Sequence, residues 1–393
     1  MDSKQQINPW LFQMLSIAAG LAIGNLYLAQ PLLGAIGTGL NVTEAQAGWV
    51  ISAIQLGYAA GIILLLPLGD MLSRRMLITL MFTLSGFGLI AASLSNSYWG
   101  LLATFALVGV TTISGQFILP LTGELSTNDN RGHNLGIVVS GIMIGILAAR
   151  AVSGGLAGLV GWHGVFQVFG VAVLAMAFLM FRIIPTLPKV AKTNYFRMVS
   201  DVFILPIKNP QILVVLLLNS AGFALFSSLW TSITFLLSSK PYGFNAPLIG
   251  LFGFIGLVGA FTARKGGRFY DKGWADTVLV LAWIAIVGSF ALGFLVNDSL
   301  VFLVIQLLVF DAASQINGLM NQTRLLSKFA HARSRVNASY VSANFIGGAI
   351  GSAGSAILYS HGGWDNVMTV SLGLSLAVMT AYTILRKTRY LSK

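Results

Sequence analysis

The chain alternates between long apolar runs and short polar connections. A helix needs about 20 mainly apolar residues to cross the hydrocarbon core of a membrane, and twelve runs have roughly that length. We number them as spans 1 to 12; they cover roughly residues 10–36, 45–68, 76–94, 98–122, 134–158, 164–184, 210–237, 247–264, 276–296, 299–320, 336–358 and 365–386. Strands of a β-barrel would alternate apolar and polar residues in short segments, whereas these runs are continuous. The pattern therefore predicts an all-α membrane protein with twelve transmembrane helices.

The composition supports a protein that faces lipid. Hydrophobic residues make up 56% of the chain and charged residues only 9%, against about 25% charged residues in a typical soluble domain. Most of the outer surface must therefore contact the lipid bilayer. The chain has no cysteine, which excludes disulfides and thiolate metal sites, and its four histidines lie in polar or glycine-rich connections. We expect no metal site and no cofactor.

The basic residues indicate the orientation of the chain. The net charge is +12, but lysines and arginines are distributed in small groups between the apolar runs, so nucleic-acid binding is not predicted. Of the 23 basic residues, all but Arg150 and Lys240 lie at the termini or in and beside connections that follow even-numbered spans. Because cytoplasmic connections carry the excess of Lys and Arg, we expect a multi-pass protein with both termini in the cytoplasm.

The two halves of the chain form an internal repeat. At an offset near 202 residues the halves match, most clearly where Gly161 and Trp162 fall on Gly363 and Trp364. We therefore predict an N-terminal six-helix bundle (1–184), a cytoplasmic central loop (185–208) and a C-terminal six-helix bundle (209–393). Parallel repeats of six helices are typical of transporters whose substrate site lies between the halves near mid-membrane.

The connection between spans 2 and 3 carries a family motif. Residues 66–75 read LPLGDMLSRR, which resembles the major facilitator signature Gly-x-Leu-Ala-Asp-Arg-x-Gly-Arg-Arg, with departures at Leu66, Met71 and Ser73. Residues 267–273 form a shorter version in the second half. In that family the connection is a cytoplasmic latch, in which a carboxylate pairs with basic residues in one conformation. The resemblance implies a latch made of Asp70, Arg74, Arg75, Arg131 and Asp271. The alternative is that short cytoplasmic loops simply contain turn residues and basic residues.

Span 5 resembles the antiporter signature of the same superfamily, Gly-x8-Gly-x3-Gly-Pro-x2-Gly-Gly. Gly136, Gly145 and Gly154 match it, whereas Ala149, Arg150 and Ser153 replace Gly, Pro and Gly. Small residues also let helices approach closely, so packing alone explains the glycines. Residues 321–348 look like those of a bacterial group of drug:proton antiporters and sugar exporters. The resemblance implies the major facilitator fold, a monomer in the bacterial inner membrane, and export of a small molecule by proton antiport. Proton symport and facilitated diffusion remain alternatives.

Two ionisable residues lie at membrane depth, Asp311 in span 10 and Arg150 in span 5. Such residues are costly in lipid and usually face the protein interior or a wet cavity. We hypothesise that Asp311 is the protonation site, because a carboxyl whose surroundings change between two conformations can bind and release a proton. Arg150 is then either its partner or the binding site of an anionic substrate group. The alternative is a static buried pair, or a neutral Asp311 held by Ser314 and Gln315.

Further polar residues predict where a substrate cavity lies. In the major facilitator family spans 1, 4, 7 and 10 line the central cavity, and these spans together with span 11 contain several polar side chains. The candidates are Asn25, Tyr27, Gln30, Gln116, Asn219, Gln315, Asn317, Tyr340 and Asn344. Each of them alone is more often an interhelical hydrogen-bonding residue than a ligand contact. Phe226 and Trp230 are candidate cavity aromatics, although Trp230 equally suits an aromatic belt at the outer interface.

Other classes of protein fit the sequence less well. A membrane enzyme would need a nucleophile with its base, a metal site or a phosphate loop, and no Cys, G-x-S-x-G or Walker pattern occurs. A channel does not explain a two-fold repeat with one carboxyl at mid-depth. The sequence therefore predicts a secondary transporter that binds a small molecule and protons.

Overall fold

The computed structural model describes residues 9–127, 129–186, 194–256, 274–329, 332–386 and 388. Regular structure in these residues is helical, and no strand occurs among them. The N-terminal half contains the helices Pro9–Gly24, Leu33–Leu40, Glu44–Leu65, Arg74–Ser93, Tyr98–Thr111, Ser114–Leu125 and Arg131–Ile183. Tyr195–Lys208 follows, and then Pro210–Ser238, Ala246–Leu251, Ala275–Leu292, Leu300–Lys328 and Arg333–Leu385. Short 3₁₀ helices occupy Gln30–Leu32, Leu66–Asp70, Phe252–Ile255 and Gly293–Asp298.

Two of these helices, each 53 residues long, contain two spans apiece. Arg131–Ile183 changes direction at Gly161, where φ is 67°, and Arg333–Leu385 does so at Gly363, where φ is 64°. Glycine adopts this left-handed conformation readily because it has no Cβ. The tryptophan after each glycine is buried. The two breaks lie at positions that the repeat aligns. With them, the described helices correspond to the twelve predicted spans, span 8 only as far as Ile255, and the fold class is confirmed.

Spans 1 and 10 differ from their predicted lengths. Span 1 is interrupted between Gly24 and Leu33 by turns and a 3₁₀ helix, because Pro31 has no N–H to donate to a preceding helical turn. Span 10 continues to Lys328 instead of ending near residue 320. The polar residues that end the apolar run there, such as Asn321, find partners inside the protein. Residues 257–264, predicted as the second part of span 8, lie outside the described residues.

Corresponding ion pairs join neighbouring helices in the two halves. In the N-terminal half Arg74 Nη2, at the start of span 3, lies 2.8 Å from Glu124 Oε1 at the end of span 4. In the C-terminal half Asp276, at the start of span 9, pairs with Arg324 near the end of span 10. Arg74 and Asp276 occupy equivalent positions of the repeat. Both halves therefore have an ion pair at this place, but the basic residue starts the first helix in the N-terminal half and the acidic residue does so in the C-terminal half. We call the end of the bundle that carries these pairs the basic end.

The two halves pack closely toward the opposite end. Span 2 crosses span 11 where Gly48 meets Ala356, and Ser52 Oγ donates a hydrogen bond of 2.8 Å to the carbonyl oxygen of Ala349. Span 5 crosses span 8 where Gly154 faces Gly250. Any side chain larger than hydrogen at these glycines would collide with the facing helix, so small residues set the distance between the halves.

Toward the basic end the halves enclose a crevice of about 520 Å³. It is bounded by the end of span 2, by Gln116 of span 4, by Leu326 of span 10 and by Ala338 of span 11. The halves are therefore in tight contact at the crossings near Gly48 and Gly154, and the crevice enters between them from the basic end.

The helix Tyr195–Lys208 lies at the mouth of this crevice, within residues predicted as a polar loop. Tyr195 Oη donates to the carbonyl oxygen of Leu64 over 2.9 Å, and Ser339 Oγ donates to that of Val202 over 2.7 Å. Asp201 also pairs with Arg335 of span 11. The helix thus contacts the N-terminal half through span 2 and the C-terminal half through span 11. The sequence analysis assigned this segment to the loop because the residues just before it are rich in Lys and Pro, and it did not recognise the amphipathic pattern of the helix.

Candidate functional site

Arg150 is buried in the middle of the protein, with 3% of its surface exposed. Its Nε donates a hydrogen bond of 2.7 Å to Oε1 of Gln30 in span 1. The guanidinium carbon lies 3.9 Å from the ring centre of Trp230 and 4.8 Å from that of Tyr27. A charge at this depth on a lone helix costs about 2.5–3.5 kcal/mol on insertion scales. The aromatic faces offset part of that cost through cation–π attraction.

Asp311 lies at the N–H edge of the same tryptophan and is 2% exposed. Trp230 Nε1 donates a hydrogen bond of 3.2 Å to Asp311 Oδ1. The ion pairs formed within the described ranges do not include one between Arg150 and Asp311. Trp230 therefore contacts both groups, the cation through its ring and the carboxyl through its N–H. It is buried between the helices rather than exposed in an interfacial belt.

These side chains connect the two halves of the molecule. Tyr27 and Gln30 belong to span 1, Arg150 to span 5, Trp230 to span 7 and Asp311 to span 10. We call these five residues the central cluster. A backbone contact strengthens the connection, because the hydroxyl of Thr234 donates to the carbonyl oxygen of Gln30 over 3.0 Å. A movement of one half against the other must change the contacts of the central cluster.

Span 8 packs over the central cluster through glycines that the sequence analysis did not select. A Cβ on Gly253 would lie 2.9 Å from Cβ of Arg150, and one on Gly256 would lie 3.5 Å from Oδ2 of Asp311. Together with Gly250 they recur every third residue, and small residues of this kind let helix backbones approach closely. That spacing was the signal available in the sequence. It is weak in a chain with 44 glycines.

Four of the predicted cavity residues instead bond within the C-terminal half. Asn219 Nδ2 donates to Asn344 Oδ1 over 2.7 Å, and Asn321 Nδ2 donates to Asn317 Oδ1 over 3.0 Å. Tyr340 Oη donates to the carbonyl oxygen of Gly318 over 2.8 Å. Asn321, which was not among the candidates, thus completes a network between spans 7, 10 and 11. In this conformation the network holds helices together, which was the alternative interpretation of these residues.

The remaining cavity candidates, Asn25, Gln116 and Gln315, lie apart from the central cluster and from one another. Asn25 donates to Ser85 Oγ of span 3 over 3.3 Å and is buried inside the N-terminal half. Gln116 lines the crevice and donates to Tyr58 Oη over 2.8 Å. Gln315 is half-buried on span 10. Of the nine candidates, the structure brings Tyr27 and Gln30 together with Arg150.

An aromatic layer separates the crevice from the central cluster. Tyr58 meets Phe345 with ring centres 4.5 Å apart, and Phe345 lies 5.1 Å from Phe223. Phe223 stacks on Phe226 at 5.5 Å, and Phe226 lies 6.3 Å from Trp230. The layer combines spans 2, 7 and 11, so it belongs to both halves. It lies between Gln116, which lines the crevice and bonds to Tyr58, and Trp230 of the central cluster.

Comparison with known proteins identifies the family. The sequence profile of the Major Facilitator Superfamily matches residues 15–352. The chain belongs to the Major Facilitator Superfamily. It is 38% identical over 378 residues to the uncharacterized transporter YgaY of Escherichia coli O157:H7, and the match covers 94% of both proteins. It is 29% identical to the probable transporter SCO4007 of Streptomyces coelicolor, over 91% of this chain and 83% of that protein.

A solved structure of low sequence identity has the same fold. The bacterial homolog of the human lysosomal transporter Spinster, in an inward-facing and occupied conformation, superimposes with a TM-score of 0.80 over 98% of both chains at 15% identity. Major facilitator proteins are transporters of small molecules and not enzymes. The chain is therefore a multi-pass membrane transporter of this superfamily.

Four of the five residues predicted to form a latch, Asp70, Arg74, Arg75 and Arg131, lie near the basic end. Arg74 pairs with Glu124, whereas Asp70 lines the crevice. The guanidinium of Arg75 lies 4.5 Å from the ring centre of Phe181. Arg131 lies against Gly123 of span 4, within 3.4 Å of where a Cβ would stand. Ion pairs among the described side chains do not join Asp70 to Arg131, and Asp271 lies outside the described residues.

Proposed function

We propose that this transporter exports a small molecule across the inner membrane of a bacterium in exchange for protons. The basic end and both termini then face the cytoplasm, as the distribution of Lys and Arg predicts. One observation carries the proposal: Trp230 bonds to the carboxyl of Asp311 and stacks on Arg150, so that the proton-binding group is connected to a contact between the two halves.

Protonation of Asp311 would change that contact. An ionised carboxylate accepts a charge-assisted hydrogen bond from Trp230, and such bonds are roughly twice as strong as neutral ones. A protonated, neutral carboxyl holds the indole less firmly and tolerates an apolar environment better. Proton binding therefore alters how tightly span 10 is connected through span 7 to span 5. This is the coupling that an alternating-access antiporter requires, because an ion must shift the balance between its two conformations.

The direction of transport is inferred from span 5, where the antiporter signature matches in part. Two of its three matching glycines lie at helix crossings: Gly145 packs on Gly20 of span 1, and Gly154 packs on Gly250 of span 8. The glycines thus lie where span 5 meets both its own half and the other half. The partial match to this signature, together with the resemblance of residues 321–348 to drug:proton antiporters and sugar exporters, supports export.

Everted membrane vesicles test the proposal. A panel of drugs, sugars and amino-acid-like metabolites is added to respiring vesicles that contain the protein, and a fluorescent probe reports the lumenal pH. A substrate of a proton antiporter is expected to reverse part of the acidification, because protons leave as the substrate enters. Asp311→Asn should abolish the reversal, since an amide does not exchange a proton in this range.

The matched control is Asp129→Asn, which changes an exposed carboxylate in the connection after span 4. It should leave the pH response unchanged. Full acidification reversal by Asp311→Asn would rule out the coupling proposed here. Substrate entry without any change in lumenal pH would instead indicate facilitated diffusion. Movement of substrate out of the lumen together with protons would indicate proton symport.

A further inference from the structure

Two buried donor groups of the central cluster have no hydrogen-bond partner among the residues that the structure describes. They are Arg150 Nη2 and Gln30 Nε2, and both are enclosed by protein. The two side chains are already joined, because Arg150 Nε donates to Gln30 Oε1. The unpaired donors therefore belong to neighbouring groups. Buried polar groups in folded proteins usually have partners. Other buried atoms of the described chain also lack one, but here two donors lie side by side on joined side chains, so this pair indicates a site for the acceptor atoms of a bound molecule.

The charge of Arg150 indicates what kind of acceptor suits the site. The ion pairs of the described chain involve Arg74, Arg324 and Arg335 and leave Arg150 without one. Tyr27 and Trp230 cover faces of the guanidinium, but their rings do not supply oxygen acceptors for its N–H groups. Asp311 is bonded to the indole N–H instead. A negatively charged oxygen group would satisfy the donors and the charge together.

We infer that the transported molecule is an organic anion whose carboxylate or phosphate oxygens accept hydrogen bonds from Arg150 and Gln30. The planar guanidinium fits such groups in a way that a lysine ammonium does not. The rings of Tyr27, Phe226 and Trp230 around the cation favour an apolar or aromatic body next to the anionic group. This inference rests on the proposed function, because it takes the central cluster to be part of the transport site.

The two donors lie close to a cavity through which an anion could reach or leave them. A vestibule of about 730 Å³ lies at the end opposite the basic end, and its lining includes Pro31, Ala157 and Phe235. Pro31 directly follows Gln30, and Ala157 lies two helical turns from Arg150 on span 5. Arg150 and Gln30 thus lie beneath the floor of this vestibule. Separation of the crossings at Gly48 and Gly154 would expose them to it.

Ligand-induced stabilisation of the purified full-length protein tests the inference. The melting temperature is followed by tryptophan fluorescence, because a ligand that binds the folded state raises it. The probes are benzoate, 3-phenylpropionate and phenyl phosphate, with benzamide as the neutral counterpart of benzoate. We expect saturable stabilisation by at least one anion and none by benzamide. A response to phenyl phosphate alone would assign the site to phosphate groups, and a response to the two acids alone would assign it to carboxylates.

Variants connect the binding to the named donors. Arg150→Met should abolish the stabilisation, and Arg150→Lys should raise the half-maximal anion concentration roughly tenfold because the planar fork is lost. Gln30→Met should raise it several-fold while keeping the cation. Arg182→Met is the matched control, since Arg182 is an exposed arginine that also lies over a ring, that of Phe178. It should bind as the wild type does. Melting temperatures without ligand show whether each variant is folded.

The outcomes separate this inference from the proton-coupling proposal. Asp311→Asn should tighten anion binding, because it removes a negative charge near the site. Binding of an anion together with proton-driven transport by Asp311→Asn would leave the inference intact and overturn the proposed coupling. Equal stabilisation by benzamide, binding by Arg150→Met, or no stabilisation by any of the three anions would overturn the inference itself.

Discussion

At the scale of single residues, Trp230 links the two charged groups of the site. Its ring covers the guanidinium of Arg150, and its N–H donates a hydrogen bond to the carboxyl of Asp311. The sequence identified both charged residues, because charges inside apolar runs are conspicuous. It left Trp230 between two interpretations, because a tryptophan near the middle of a long run gives no sign of which neighbour its N–H meets.

A conservative substitution separates the two contacts of this tryptophan. Trp230→Phe keeps a ring over Arg150 but removes the hydrogen bond to Asp311. Loss of one hydrogen bond to a charged group is worth about 1.5–3 kcal/mol, so proton-driven transport is expected to fall roughly tenfold or more. The initial rate of acidification reversal in everted vesicles measures the effect. Trp99→Phe, which alters an exposed tryptophan, should have no effect, and a wild-type rate in Trp230→Phe would contradict this role.

At the scale of helices, the sequence predicted the presence of each transmembrane span better than the positions where its helix is interrupted or ends. Long apolar runs predicted all twelve spans because lipid requires continuous helices. They did not show that span 1 is interrupted near Pro31, or that span 10 continues past Asn321, because both depend on partners supplied by other helices. The polar candidates divided in the same way. Tyr27 and Gln30 meet Arg150, whereas the asparagines of spans 7, 10 and 11 bond to one another.

The crossing of spans 2 and 11 is expected to control which end is closed. Gly48→Val would place side-chain atoms against Ala356, so the closed opposite end should be destabilised. The chain has no native cysteine, so single reporters can be introduced. In the Gly48→Val background, Thr234→Cys should react faster with a membrane-impermeant maleimide applied from the opposite end.

The control for this experiment lies on span 5. A Cβ at Gly155 meets no atom within 4 Å, so Gly155→Val makes the same change at an open position and should leave labelling of Thr234→Cys unchanged. Equal labelling in the two backgrounds would mean that the Gly48 crossing does not hold the end closed.

At the scale of the whole molecule, the repeat is visible in backbone conformation as well as in sequence. Gly161 and Gly363 both have positive φ. Each lies at the break between two consecutive spans. Neither would bring a Cβ within 4 Å of another atom. Any cost of a side chain there must come from the backbone alone.

Matched alanine substitutions measure that cost in each half. Gly161→Ala and Gly363→Ala should each destabilise the protein by about 1–3 kcal/mol, because positive φ combined with ψ near 180° is a region that is essentially restricted to glycine. Gly373→Ala, at an open helical position without positive φ, should be neutral or stabilising by up to about 1 kcal/mol. Thermal unfolding followed by tryptophan fluorescence compares the three. A large effect at only one of the two equivalent glycines would argue against an equivalent role.

The helix Tyr195–Lys208 adds a mechanical constraint to the transport cycle. It wedges between spans 2 and 11 at the mouth of the crevice, with Met198 and Val202 facing the opening. If the halves approach each other at this end, the volume that the helix occupies disappears, and at least one of its two attachments must break. The connection that joins the halves in sequence is therefore also a spacer, and a molecule that pins it in place would arrest the protein with the crevice open.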